Sequence, residues 1–216
     1  MPSNARASCD RILSDVSDLL SLHPKIRNPG PGKPPGNTRP LLHACTVLTY
    51  TAWEVYVEDL LLEAVPYFRL HTHLPQKLRD KIAQRVQSKP WNLAEKSWTT
   101  EVEKTVKSIS VGEGGRLGMN SANTKNVNEA LEIVFGDTLL DRCRWQGMSA
   151  TANKKYIDQL FSRRGALVHR GALDRGDGPM KLGTVRDWAD WVGKLADKLD
   201  ALAANALQSL TGQSPW

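Results

Sequence analysis

An apolar stripe near the end of the chain restricts the fold more than any other feature. Between Thr184 and Leu210, apolar residues recur at intervals of three and four, which corresponds to about seven turns of α-helix. A helix this long with one apolar face must pack against a partner, in the same chain or in another. Thr184 and Asp187, three residues apart, predict a capping box at its start. The members of the stripe are Val185, Trp188, Trp191 or Val192, Leu195, Leu199, Leu202, Ala206 and Leu210.

The rest of the chain is also patterned as helices, with no convincing alternation of the kind that marks a strand. The broadly apolar stretch 41–64 predicts a central helix that is packed on more than one side and ends at Pro66. Together these patterns predict an all-α protein, an antiparallel helical bundle with a long C-terminal helix. The other predicted helices cover residues 4–22, 76–88, 93–109, 126–135 and 152–169, with a short one within 136–145.

Two irregular stretches interrupt the helices. Residues 23–40 hold six prolines and three glycines, a composition that predicts a long exposed connection. Residues 110–125 are rich in glycine and predict a flexible loop. The chain has 216 residues, of which 40% are apolar, enough for one sizeable core. We therefore predict a single domain over residues 1–216.

The cysteines and the apolar runs indicate the compartment. Cys9, Cys45 and Cys143 lie far apart and form no C-x-x-C pair, which favours a reducing environment over a disulfide framework. The N-terminal residues lack the continuous apolar run of a signal peptide, and no run approaches the roughly 18 apolar residues of a membrane span. We expect a soluble cytoplasmic protein with no membrane contact, no metal site and no cofactor.

Positive charge is concentrated in one region. Residues 142–186 contain ten Lys or Arg and three acidic residues, whereas the remainder contains nineteen basic and twenty acidic residues. The net charge of +6 therefore resides in this basic segment. A concentrated positive field attracts polyanions, of which nucleic acid is the commonest. A solvated basic face is the alternative.

The basic segment includes "FSRRGALVHRG", residues 161–171, in which Arg163 and Arg164 precede His169. A histidine can exchange a proton near neutral pH, and an arginine can hold a phosphate through paired hydrogen bonds. Together they supply much of what metal-free cleavage of RNA through its 2′-hydroxyl requires. About one such Arg-to-His spacing is expected by chance in this chain, so the spacing alone is not specific.

Helix geometry complicates this hypothesis. Five residues place Arg164 and His169 about 140° apart on an ideal helix. The two side chains can converge only if the helix ends or bends between them, or if two copies of the site meet.

Three segments resemble one family. "SRRGALVHRG" resembles the signature of the HEPN superfamily, an arginine followed after four to six residues by a histidine. "TAWEVYVEDLL" at 51–61 resembles the second-helix segment of the RiboL-PSP branch, and "NVNEALEIVFG" at 126–136 resembles the segment that precedes its motif helix. The resemblance spans roughly residues 40–210.

This resemblance implies an HEPN-like helical fold and a homodimer with a composite active site. It also implies metal-independent endoribonuclease activity, often as a toxin or antiviral defence effector, with an antitoxin or nucleotidyltransferase as a partner to consider. By motif position, Arg164 and His169 are the catalytic pair. The family often has Asn after the motif arginine, where this chain has Gly165. Arg163 either compensates or is itself the motif arginine with the longer spacing.

Other residues receive supporting assignments. Glu54 is expected to orient His169 or Arg164, or else to face water. Arg163, Arg170, Lys154 and Lys155 are candidate contacts for the RNA backbone, or else parts of a solvated face. His169 has a structural alternative as a helix-capping residue. Two other functions stay open: a non-catalytic module that binds RNA or protein, and a purely structural dimerisation domain.

Overall fold

The computed structural model describes residues 1–28, 30, 36–69, 73–88, 97–113, 116–117, 119, 121–171, 173 and 179–216. These residues form a bundle of the all-α class, as the sequence predicts, and none of its helices has the length and apolar character to cross a membrane. The helices are α1 (Asn4–Ser21), α2 (His23–Arg27), α3 (Arg39–Glu63), α4 (Val65–Arg69), α5 (Gln76–Ser88), α6 (Trp98–Ser110), α7 (Thr124–Phe135), α8 (Ala150–Arg170) and α9 (Leu182–Thr211). A 3-10 helix, Leu139–Arg142, lies between α7 and α8.

Helix α3 is the centre of the bundle, as its broadly apolar sequence predicts. It packs against α1, α6, α7, α8 and α9, and Trp53, Tyr56 and Leu60 are fully buried on it. Buried polar atoms need hydrogen-bond partners. The hydroxyl of Tyr56 therefore donates to the Ala196 carbonyl of α9, at 3.0 Å.

Helix α9 carries the long apolar stripe, and the burial of Val185, Leu195 and Leu199 confirms it. The predicted capping box at Thr184 is wrong. The helix begins at Leu182, its N-cap is Lys181, and no side chain caps it. A capping residue must stand at the last non-helical position, whereas Thr184 already lies inside the first turn.

The helix α1 begins in a cluster of carboxylates from α3 and α9. The backbone N–H of Ser3 donates to Asp200 at 3.2 Å, and the N–H groups of Asn4 and Ala5 donate to Glu63 at 2.9 Å each. The first turn of a helix has no intrahelical partners for its N–H groups, and negative charge is favourable there. These bonds dock α1 on the two longest helices.

The two irregular stretches contain short ordered elements. Residues 23–27 form α2, with Pro24 in the first turn, where a proline costs no hydrogen bond. The expectation of an uninterrupted connection from 23 to 40 is therefore wrong at both ends, since α3 begins at Arg39. In the predicted loop 110–125, Gly112–Glu113 pair with Arg116–Leu117 as two short antiparallel strands, β1 and β2. Parts of both stretches lie outside the described residues, as do residues 93–96 of the predicted helix 93–109.

All three cysteines are fully buried. Burial raises the pKa of the Cys9 thiol to about 12, and the same cause raises the pKa of the Cys143 thiol to about 12. Burial also raises the pKa of Cys45. The thiols are therefore protonated at neutral pH.

The helix α8 is fixed at its N-terminal half by a buried asparagine. The amide nitrogen of Asn153 donates to the Cys143 carbonyl at 2.8 Å, and its amide oxygen accepts from the indole N–H of Trp191 at 2.8 Å. Nearer the middle, Asp158 accepts from the backbone N–H of Thr124 at 2.9 Å. These contacts join α8 to α9, to α7 and to the segment after the 3-10 helix.

We expect Asn153→Ala to lower the free energy of unfolding by about 2–4 kcal/mol, because it leaves a buried carbonyl and a buried indole N–H without partners. Urea denaturation followed by circular dichroism measures the loss. The control is Gln159→Ala on the exposed side of the same helix, which should change stability by less than about 0.5 kcal/mol. Equal effects of the two substitutions would contradict the bridging role of Asn153.

Candidate active site on helix α8

The predicted catalytic pair lies on one uninterrupted helix. Helix α8 continues through His169 to Arg170, and Gly171 ends it in the left-handed conformation with φ 65°, a conformation that glycine adopts without strain. The helix does not end between Arg164 and His169, so the two side chains point about 140° apart. Convergence within one chain by an early helix end is therefore excluded. The imidazole of His169 is exposed to solvent.

Arg164 faces the core and lies on the ring of a tyrosine. Its guanidinium carbon is 5.3 Å from the ring centroid of Tyr50, a cation–π distance. Its Nε is buried and has no hydrogen-bond acceptor. Across the part of the chain that the structure describes, no carboxylate forms an ion pair with this guanidinium. Arg164 thus lies against an aromatic ring, with no carboxylate partner among the described residues.

Tyr50 is a site residue that the sequence pattern did not reveal. Its side chain is fully buried, its ring packs on Phe161 with centroids 6.1 Å apart, and its hydroxyl accepts from the Ala122 N–H at 2.8 Å. Burial, followed by the charge of Glu54, raises the pKa of Tyr50, so the phenol stays protonated. One signal was present in the sequence, because Tyr50 and Glu54 are four residues apart on a helix.

Glu54 affects this site through Tyr50 and not through Arg164 directly. It is half-buried on α3, and its negative charge adds to the effect of burial in raising the pKa of Tyr50. Among the described residues it makes no ion pair with Arg164 or His169. Glu54 therefore acts electrostatically on the tyrosine under Arg164, and its role in orienting Arg164 or His169 stays a prediction.

Arg163 points in another direction from Arg164. Its guanidinium carbon lies 5.0 Å from the ring centroid of Trp188 on α9, and its Nη1 contacts the sulfur of Met180 at 3.4 Å. Trp188 and Trp191 are both buried, as their place in the apolar stripe of α9 predicts. Of the two arginines, Arg164 is the one free of protein partners other than Tyr50 in the described chain.

Gly165 lies one helical turn before His169 and so shares its face. A Cβ added at this position would meet no atom within 4 Å outside its immediate neighbours. The space immediately around this position is therefore open.

The predicted RNA-binding residues differ in their availability. Lys154 forms an ion pair with Asp141 at 2.6 Å, so its charge already has a partner in the protein. Lys155 is exposed and lies fourteen residues before His169, so the two differ by about 40° in direction and about 21 Å along the helix axis. Arg170 is exposed at the helix end. Lys155 and His169 thus share one face of α8.

The all-α bundle and its Arg-x4-His helix define an HEPN-type helical protein. The family model described as RiboL-PSP-HEPN matches residues 10–205, and the chain belongs to this family. Comparisons with curated proteins and with solved structures give no match.

The contact between residues 50 and 164 can be measured by a double-mutant comparison. Tyr50→Phe and Tyr50→Leu both remove the hydroxyl, but only the phenylalanine keeps an aromatic face under the guanidinium. We expect Arg164→Met to cost about 1 kcal/mol more stability in the Tyr50→Phe background than in the Tyr50→Leu background. Chemical denaturation of the four proteins gives this difference. Equal costs in the two backgrounds would show that the ring does not hold Arg164.

Proposed function

We propose that the protein is a metal-independent endoribonuclease that cleaves RNA through attack of a 2′-hydroxyl on the adjacent phosphodiester. The observation that carries the proposal is Arg164, whose guanidinium lies on the Tyr50 ring with no carboxylate partner in the described chain. The resemblance of "SRRGALVHRG" to the HEPN signature assigns it the motif position, and the chain belongs to that family. The exposed imidazole of His169 and the basic segment around both residues support it.

The proposed reaction needs two proton transfers and one stabilised charge. A general base removes the proton from the 2′-hydroxyl, and that oxygen forms a bond to phosphorus. The bond from phosphorus to the 5′-oxygen breaks, and a general acid protonates the leaving oxygen. The products are a 2′,3′-cyclic phosphate and a 5′-hydroxyl. DNA has no 2′-hydroxyl and should not be cut.

Arg164 and His169 have different roles in this reaction. Arg164 stabilises the negative charge that develops on the phosphate oxygens, through charge-assisted hydrogen bonds. His169 acts as general base or general acid, because an imidazole titrates near neutral pH. Arg163 is excluded from the motif role in this proposal, since it packs against Trp188 and Met180.

A dimer would supply the second motif histidine that one chain lacks. A single chain brings one motif histidine, directed away from its own Arg164, whereas the reaction uses both a base and an acid. Two copies meeting across a two-fold axis would present two histidines to one phosphate. Val168, next to His169, is 51% exposed and offers apolar surface for such a contact.

One observation favours a second function. Gly165 provides no polar side chain where relatives often carry asparagine, which fits a module that binds RNA or protein without cutting it. The setting that the family suggests for the nuclease is a cytoplasmic toxin or defence effector, controlled by an antitoxin or nucleotidyltransferase partner. A binding module would use the same basic surface.

We expect His169→Ala and Arg164→Ala each to lower the RNA cleavage rate at least about 100-fold in buffer containing EDTA. Cleavage of a labelled RNA is followed on gels, with mass spectrometry to identify 2′,3′-cyclic ends. His73→Ala is the control, because His73 is also an exposed histidine, and it should leave the rate unchanged. Equal cleavage by the His169→Ala and wild-type proteins would overturn the nuclease proposal. Binding of RNA by wild-type protein without cleavage would favour the module.

The composite site makes a separate prediction. When wild-type and His169→Ala chains are co-expressed at known ratios, activity should fall with the square of the wild-type fraction, because a working site needs both histidines. An equal mixture should then retain about one quarter of the wild-type activity. A linear dependence on the wild-type fraction would show that each chain works alone.

A further inference from the structure

A cavity of about 430 Å³ opens where the 3-10 helix meets α9. Asn153, which holds this region to α8, lies sixteen residues before His169, or about 24 Å along the helix axis. The cavity is therefore distinct from the predicted catalytic helix end. Its lining residues are Asp141, Arg142, Arg144, Lys198 and Leu202.

The charges around this cavity are only partly compensated. Arg142 forms an ion pair with Asp137 at 2.7 Å, and Asp141 pairs with Lys154 at 2.6 Å. The hydrogen bond from Lys154 lowers the pKa of Asp141, so that carboxylate is ionised and already paired with Lys154. Arg144 and Lys198 have no carboxylate partner in the described part of the chain.

The backbone that carries the arginines is fixed. Cys143, between Arg142 and Arg144, is fully buried, and its carbonyl accepts from Asn153. Just beyond, the N–H and carbonyl groups of Trp145 and Met148 bond each other at 3.1 and 2.9 Å. The cations therefore project from an anchored segment, so a ligand would not have to order a loop before binding.

We propose that this cavity binds a phosphate ester, carried by a mononucleotide or by an RNA strand, with Arg144 and Lys198 as the principal contacts. An arginine can bind two phosphate oxygens at once, and a lysine contributes a compact positive charge. The volume lies in the range of small-ligand pockets, about 300–1,000 Å³, and exceeds what a bare phosphate would fill. Leu202 provides an apolar wall for the ribose or base. The proposal does not depend on RNA cleavage.

The test compares two double variants with the same loss of charge. Arg144→Gln with Lys198→Gln removes the cavity cations. Arg79→Gln with Lys81→Gln removes two exposed cations from α5, which does not line the cavity. All proteins also carry His169→Ala, so that RNA stays intact. Calorimetry measures binding of 5′-AMP, and fluorescence anisotropy measures binding of a short single-stranded RNA over a range of salt concentrations.

For a mononucleotide site, 5′-AMP binds the parent protein, and the cavity variant weakens its affinity at least about tenfold. The α5 variant leaves that affinity unchanged. For an RNA-backbone site, 5′-AMP does not bind, the cavity variant weakens RNA binding more than the α5 variant does, and its salt slope falls by about 1.4. Equal effects of the two variants on both probes, or no effect, overturn the proposal. Cleavage is measured separately on chains that retain His169, so either proposal can fail while the other stands.

Discussion

The backbone of Ala122 is the point on which the geometry of the site depends. Its N–H donates to the Tyr50 hydroxyl at 2.8 Å, and its carbonyl accepts from the Trp53 indole at 2.9 Å. Both aromatic residues belong to the buried centre of α3, where unpaired polar atoms would be costly. The same residue leads into α7, whose Thr124 is bonded to α8 through Asp158 and the Lys154 carbonyl. The short segment from Ala122 to Thr124 thus links the tyrosine under Arg164 to the helix that carries Arg164.

The helices could be predicted from the sequence because their signal is local. Apolar residues at intervals of three and four located the α9 stripe, and the broadly apolar stretch around Trp53 located the central helix. Helix ends were predicted less well, since a cap depends on where the backbone leaves the helix; Thr184 has the right residue type and the wrong position. Tyr50, on which Arg164 lies, was not predicted as a site residue for a different reason. Tyr50 meets Arg164 only after α3 and α8 pack, and a tyrosine within an apolar helix looks like an ordinary core residue.

A count of charges also proved less informative than their pairing. The basic segment has an excess of Lys and Arg, but several of these side chains already have partners: Arg142 pairs with Asp137, Lys154 pairs with Asp141, and Arg163 lies on Trp188. The cations without carboxylate partners in the described chain include Arg144 of this segment and Lys198 outside it. Desolvation and pairing decide which cations can still hold a phosphate, and both depend on tertiary contacts that a linear sequence does not display.

The burial of the three cysteines has a practical consequence. A thiol reacts with alkylating reagents as the thiolate, and in the folded chain Cys9 and Cys143 are both inaccessible and protonated. Modification therefore has to await local opening of the surrounding structure. Because Cys9 lies on α1, Cys45 on α3 and Cys143 beside the 3-10 helix, their separate alkylation rates form a set of native reporters. They can show which part of the bundle opens first, without the introduction of a single label.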